Sequence, residues 1–240
     1  MRLRLIPASI ALVALAGAVL QTQVSASAEY ATPAHQQWVT VSASSSSSTY
    51  ATVEAWEWQS TNGLYKRVAL FTGARIGGQG MGATKEGVAR TPTGRYRLTQ
   101  PFGVAPKPSG VTTSYFQVDA NDIWSDSTYP SYGNRHARCA PGTCPYYYGD
   151  FERLSRYPSQ YKYAVFIGYN APAPYGSGVV AGMGSAFFLH VKNAYATGGC
   201  VAVSESQMLW LLRWFKSTKS PAIALGVGSN AYNPIPNRYV

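Results

Sequence analysis

Apolar and polar positions alternate along much of the chain, and that alternation predicts strands. Trp38-Val39-Thr40-Val41-Ser42 and Tyr50-Ala51-Thr52-Val53-Glu54-Ala55-Trp56 both repeat with a period of two, the mark of a half-buried strand. Ser44–Ser48 lies between them. With strand patterns close on both sides, a long hairpin loop is preferred to an interdomain linker. Leu64–Thr72, Arg95–Thr99 and Tyr161–Tyr169 are further strand candidates. Ser185-Ala186-Phe187-Phe188-Leu189-His190 reads as a strand buried on both faces and ending in a polar residue. The period changes once. Ser204 with Gln207 forms a capping box, and Met208, Leu211, Leu212 and Phe215 follow at helical spacing. Lys216 and Lys219 stand near the predicted C-terminus, where the helix dipole favours cations, and Pro221 stops the helix. Ala222–Val227 is a last strand.

Punctuation between these segments comes from glycine and proline. Gly73, Gly77, Gly78, Gly80, Gly82 and Gly87 crowd one passage. A phosphate loop would need Gly-Lys-Ser/Thr and a following helix, and neither is present, so turns and bulges are predicted. Thr91-Pro92-Thr93-Gly94 is a turn feeding the next strand. Residues 103–160 read as irregular, and so long a loop in a compact domain often forms a lid or substrate wall. The expected plan is one mainly β domain over 37–228 with a single core-facing helix, a polar leader at 29–36 and a Pro- and Asn-rich tail at 229–240.

Composition narrows the setting. The 240 residues are 46% hydrophobic and 13% aromatic, which excludes disordered and collagen-like chains. Charged residues make up 12%, against about a quarter in a typical soluble protein. Arg2 and Arg4 precede an apolar run from Leu5 to Leu20, and Val24-Ser25-Ala26 and Ala26-Ser27-Ala28 offer small residues for cleavage. Residues 1–28 therefore read as a signal peptide. The run is shorter than the ~20 apolar residues that span a bilayer, so export without a membrane span is expected. The remaining 18 basic and 10 acidic side chains leave a balance of +8, suited to an anionic cell envelope. Nucleic acid is not expected as a partner, since no binding motif accompanies the charge.

Export changes the reading of the three cysteines. Cys139 and Cys144 enclose a turn, Ala140-Pro141-Gly142-Thr143, and are expected to form a disulfide in an oxidising compartment. No further Cys or His pair stands at zinc spacing, and no metal or other cofactor is expected. Cys200 remains as a free thiol.

His190 precedes Thr197-Gly198-Gly199-Cys200. Two strands joined by a short loop can bring His190 and Cys200 side by side, and an imidazole that takes a thiol proton makes a strong nucleophile. Gly198 and Gly199 let the backbone bend so that N–H groups converge as an oxyanion hole. A buried Cys packed as a small hydrophobe is the plainer fate of a lone cysteine. Elsewhere, Asn134-Arg135-His136-Ala137-Arg138 reads as an exposed basic loop, and Asp119, Asp122 and Asp126 as turn and cap residues without the calcium-loop pattern. Tyr146-Tyr147-Tyr148 fits either a stacking platform for sugars or cover for the core edge.

Leu189-His190 with Thr197-Gly198-Gly199-Cys200-Val201 resembles the signature of the L,D-transpeptidase catalytic-domain family. Glu86-Gly87, Thr91-Pro92-Thr93-Gly94-Arg95-Tyr96 and Phe102-Gly103 resemble its upstream element. The resemblance runs over about 38–228 and implies a β-sandwich-like fold with the helix just after the Cys strand. It implies Cys200 as nucleophile, His190 as base and then acid, and the Val191 carbonyl holding the second ring nitrogen. It further implies action on peptidoglycan stem peptides and acylation by carbapenem-type β-lactams; with the signal peptide, an exported protein, secreted or wall-associated, is expected, and a monomer. Thr197, Gly198 and Gly199 would position the substrate. Three departures stand out: Gly198 replaces the family's usual His, Ala202 its usual Arg or Asn, and the His-to-Cys interval is short. Two other activities fit the same residues, a thiol L,D-carboxypeptidase or endopeptidase and a catalytically inert wall-binding module.

Overall fold

The computed structural model describes residues 31–240, so the predicted signal peptide lies outside the described residues. Gln37–Ala43 and Tyr50–Gln59 pair antiparallel around the serine loop, and Leu64–Arg75 continues the meander. Gln37–Ala43 also pairs in parallel with Ala222–Val227, which pairs antiparallel with Gly94–Gly103. On the other side, Leu64–Arg75 meets Val201–Val203, then Phe188–Val191, then Ala164–Ile167. Ala164–Ile167 pairs in turn with Gly94–Gly103, so the long sheet closes on itself and packs its own halves face to face. Closure leaves no long edge of unpaired backbone groups. The fold is mainly β, as the alternation predicts.

The helix is Glu205–Trp214, and Ser204 and Gln207 exchange both bonds of the capping box. Met208, Leu211, Leu212 and Phe215 are all buried against the strand residues Val39, Val41, Val203 and Ile223. Burying such side chains is worth about 1.5–3 kcal/mol each, far more than helix propensity supplies over ten residues. Lys216 and Lys219 fall beyond the helix rather than in its last turn, because Phe215 already has extended backbone. Lys219 instead bonds Glu57.

Other boundaries shift for local reasons. The strand predicted to begin at Ser185 starts at Phe188, since Ala186 has φ of 53°, a conformation that breaks the ladder. Its last residue is Val191, one beyond His190. Gln160–Lys162 is a 3₁₀ turn, so the strand expected at Tyr161–Tyr169 shrinks to Ala164–Ile167. The tail docks on the sheet: Arg238–Tyr239 pairs with Leu64–Arg75, and Ile235 is buried.

The largest departure is in 103–160, which is not irregular throughout. Asp122–Ser125 pairs with Arg135–Arg138 on one side and Glu152–Arg153 on the other. Asp122 is fully buried rather than a turn residue, with its Oδ1 accepting from His136 Nε2 at 2.7 Å and Arg138 Nη1 at 2.6 Å. His136 therefore sits in a strand, stacked on Phe116 at 4.2 Å, and not in an exposed loop. Cys139 and Cys144 form a disulfide beside this small sheet. Tyr146–Tyr148 forms a 3₁₀ turn whose rings pack on one another and on Tyr132, while Tyr146 stays exposed. Among the described residues no helix is long and apolar enough to cross a membrane.

Candidate active site

Phe188–Val191 and Val201–Val203 run parallel, with Leu189 opposite Val201. This register places Cys200, one residue before its strand, beside Phe188. The Phe188 N–H donates to Cys200 Sγ at 3.3 Å, and the thiol donates to the Ala186 carbonyl at 3.5 Å. His190 is on the same strand as Phe188, and alternate residues share a face. Cys200 and His190 accordingly line one cavity of about 380 Å³ with Thr197, Gly198, Tyr161 and Glu152. No hydrogen bond among the described residues joins the two directly. His190 Nδ1 donates to the Val191 carbonyl at 2.8 Å, which places the ring's exchangeable site on Nε2.

Burial sets the charge state. It pushes the Cys200 thiol up to about 12, with the Glu152 charge adding to the rise and the Phe188 N–H opposing it. It pulls the His190 imidazole down to about 4, against the Val191 bond. Both groups are thus neutral at rest, a thiol and an imidazole that line one cavity.

The Cys loop is held from behind. Thr197 Oγ1 donates to the Cys200 carbonyl at 2.6 Å and accepts the Gly199 N–H at 3.1 Å. The Gly199 N–H is therefore engaged within the loop and not directed into the cavity as the oxyanion reading expects. Gly198 lines the cavity, and a Cβ placed on it would meet nothing within 4 Å. Buried Thr91 donates to the Cys200 carbonyl at 3.4 Å and accepts the Gly77 N–H at 2.9 Å. Gly78 and Thr197 are joined by a backbone bond of 2.9 Å. Glycine-rich turn, Thr-Pro element and Cys loop form one support.

Two residues of the site carry no sequence signal. Glu152 accepts the Tyr161 hydroxyl at 2.7 Å, and the Tyr161 ring stands edge-on to His190 at 5.6 Å. Glu152 belongs to a two-residue strand in the segment read as irregular, and Tyr161 to the 3₁₀ turn that replaces the start of the strand expected at Tyr161–Tyr169. The disulfide and His136 lie outside this cavity. Among the described residues no group of three or more His, Cys, Asp or Glu is disposed to hold a metal ion.

A family model for the L,D-transpeptidase catalytic domain (YkuD) matches residues 56–227. The match starts within Tyr50–Gln59 and ends with Ala222–Val227, so it spans the closed sheet, the helix and the cavity. No curated protein and no solved structure matches the chain.

Proposed function

This chain belongs to the L,D-transpeptidase catalytic-domain family, and from that premise we propose that it is an exported enzyme that cross-links peptidoglycan through a Cys200 thioester. The observation that carries the reading is the shared cavity: a buried thiol and an imidazole whose Nδ1 is tied to the Val191 carbonyl. As Sγ attacks the carbonyl that precedes a D-alanine, His190 Nε2 takes the thiol proton. The C–N bond then breaks, the departing amine takes that proton, and the acyl group stays on sulfur as a thioester. An amine on a second stem peptide attacks the thioester, His190 accepts its proton and returns it to the sulfur. The neutral resting pair suits this course, because the proton moves only when a bound substrate displaces water and offers a carbonyl.

Exposure of the purified protein to a carbapenem, followed by intact-mass measurement, tests the nucleophile. The expected result is one adduct on Cys200 and none on Cys200→Ala. Incubation with disaccharide-peptides then separates cross-linked dimers from shortened monomers, the products of amine and water attack respectively. A folded protein whose Cys200 is alkylated by a small reagent yet never acylates would instead be a wall-binding module.

A further inference from the structure

Glu152 shares the cavity with Cys200 and His190, and the acyl-transfer chemistry gives it no task. Its position is built rather than incidental. Glu152–Arg153 pairs with Asp122–Ser125, and neighbouring side chains on a strand point to opposite faces. Arg153 turns away, bonding the carbonyls of Ala120 and Cys139 and reaching Cys144 Sγ at 3.3 Å. Glu152 turns in, where Tyr161 holds its Oε1 at 2.7 Å.

No counter-charge meets it. The cavity lining contains no Lys or Arg, and no ion pair among the described residues includes Glu152. Lys162, next to Tyr161, is bonded to Glu205 at 2.6 Å. The chain carries 20 basic and 10 acidic side chains, yet the Cys200 cavity keeps a carboxyl group without a cation. Burial disfavours its ionised form, and its charge disfavours a thiolate on Cys200. A cation that enters the cavity opposes both, because an opposite charge favours the carboxylate and offsets its field at the sulfur.

We propose that Glu152, oriented by Tyr161, is the anchor for an ammonium group on the peptide that enters the Cys200 cavity. The proposal rests on the peptide acyl-transfer reading of this cavity. Tyr161 occupies one carboxylate oxygen, leaving Oε2 for an N–H donor of the ligand, a charge-assisted bond. The neutral polar groups around it, Gln160, Ser185 and Asn193, supply no competing charge. Selection for a cation then happens in the same cavity that holds the nucleophile.

The test is binding without turnover, on the full chain carrying Cys200→Ala. The probes are a short peptide with a lysine-type side-chain amine and the same peptide acetylated on that nitrogen. The free amine is expected to bind about tenfold or more tightly than the acetylated form. Adding Glu152→Gln should erase that preference while the acetylated peptide binds as before. A merely structural Glu152 would weaken both peptides alike, and that result overturns the proposal. So does equal binding of the two peptides to the Cys200→Ala protein, a comparison that stands even if Glu152→Gln fails to fold. A protein that prefers the amine but never acylates with a carbapenem would keep the ammonium site and lose the transpeptidase reading.

Discussion

The backbone N–H of Phe188 points at Cys200 Sγ from 3.3 Å. A strand N–H in that place stabilises sulfur as it gains negative charge, and it does so in the resting protein. His190, two residues further along the same strand, lines the same cavity, so one strand delivers both the donor and the proposed base.

From this arrangement, His190→Ala should leave the thiol in place and remove the base. Carbapenem adduct formation on Cys200, followed by mass against time, is expected to slow by about 10² or more. Alkylation by iodoacetamide at high pH should continue, because it needs only the thiolate. An unchanged adduct rate would remove His190 from the mechanism.

The same histidine makes a second, independent statement about stability. Its folded value of about 4 lies below the ordinary 6.5, so between those values the unfolded chain binds more protons. Stability then falls as the pH drops through that window and is fully present above it. His190→Gln cannot titrate, so the gap between the two proteins' urea midpoints should narrow from pH 7 to pH 4.5. A gap constant with pH would contradict a buried neutral imidazole.

These residues differ in how far they could be read from the chain. The helix was legible almost to the residue, because Ser204, Gln207 and the stripe through Phe215 are local signals. The hairpin around Ser44–Ser48 was legible for the same reason, and Cys200 and His190 stand in a motif. Glu152 was not. Its strand has two residues, too few to show a period, and its partner strand lies nearly thirty residues away. What ties the small sheet together is the ion cluster on buried Asp122, a contact among residues that look like surface charges in sequence. Ala186 likewise delays the start of a strand by a dihedral that no propensity predicts.

Asp122 can be tested for that structural role. Its Oδ1 is shared by His136 and Arg138, and its Oδ2 takes the Asp119 N–H at 2.7 Å. Asp122→Asn leaves those donors without their anionic partner and should lower the thermal midpoint by several degrees. Because the cluster supports the sheet that presents Glu152, the preference for a free-amine peptide should weaken as well. A variant with the wild-type midpoint would show that the disulfide and aromatic packing hold the sheet without it.

The two glycines before Cys200 should respond oppositely to added bulk. Gly199 has φ of +140° and a Cβ there would lie 2.4 Å from the Phe187 ring and 3.0 Å from the Arg90 carbonyl. Gly199→Ala combines backbone strain with a clash and should cost more than about 2 kcal/mol in urea unfolding. Gly198 faces open space at the cavity wall, so Gly198→Ala should stay within about 0.5 kcal/mol of wild type. Its glycine is therefore not demanded by the backbone, and a side chain there starts into open space. Gly198→His is expected to fold and to acylate with a carbapenem faster than wild type, since it adds a donor at the cavity wall where Gly199 has none to spare. A Gly198→His protein that folds and acylates more slowly would mean that this cavity accepts its substrate through the space the glycine leaves open.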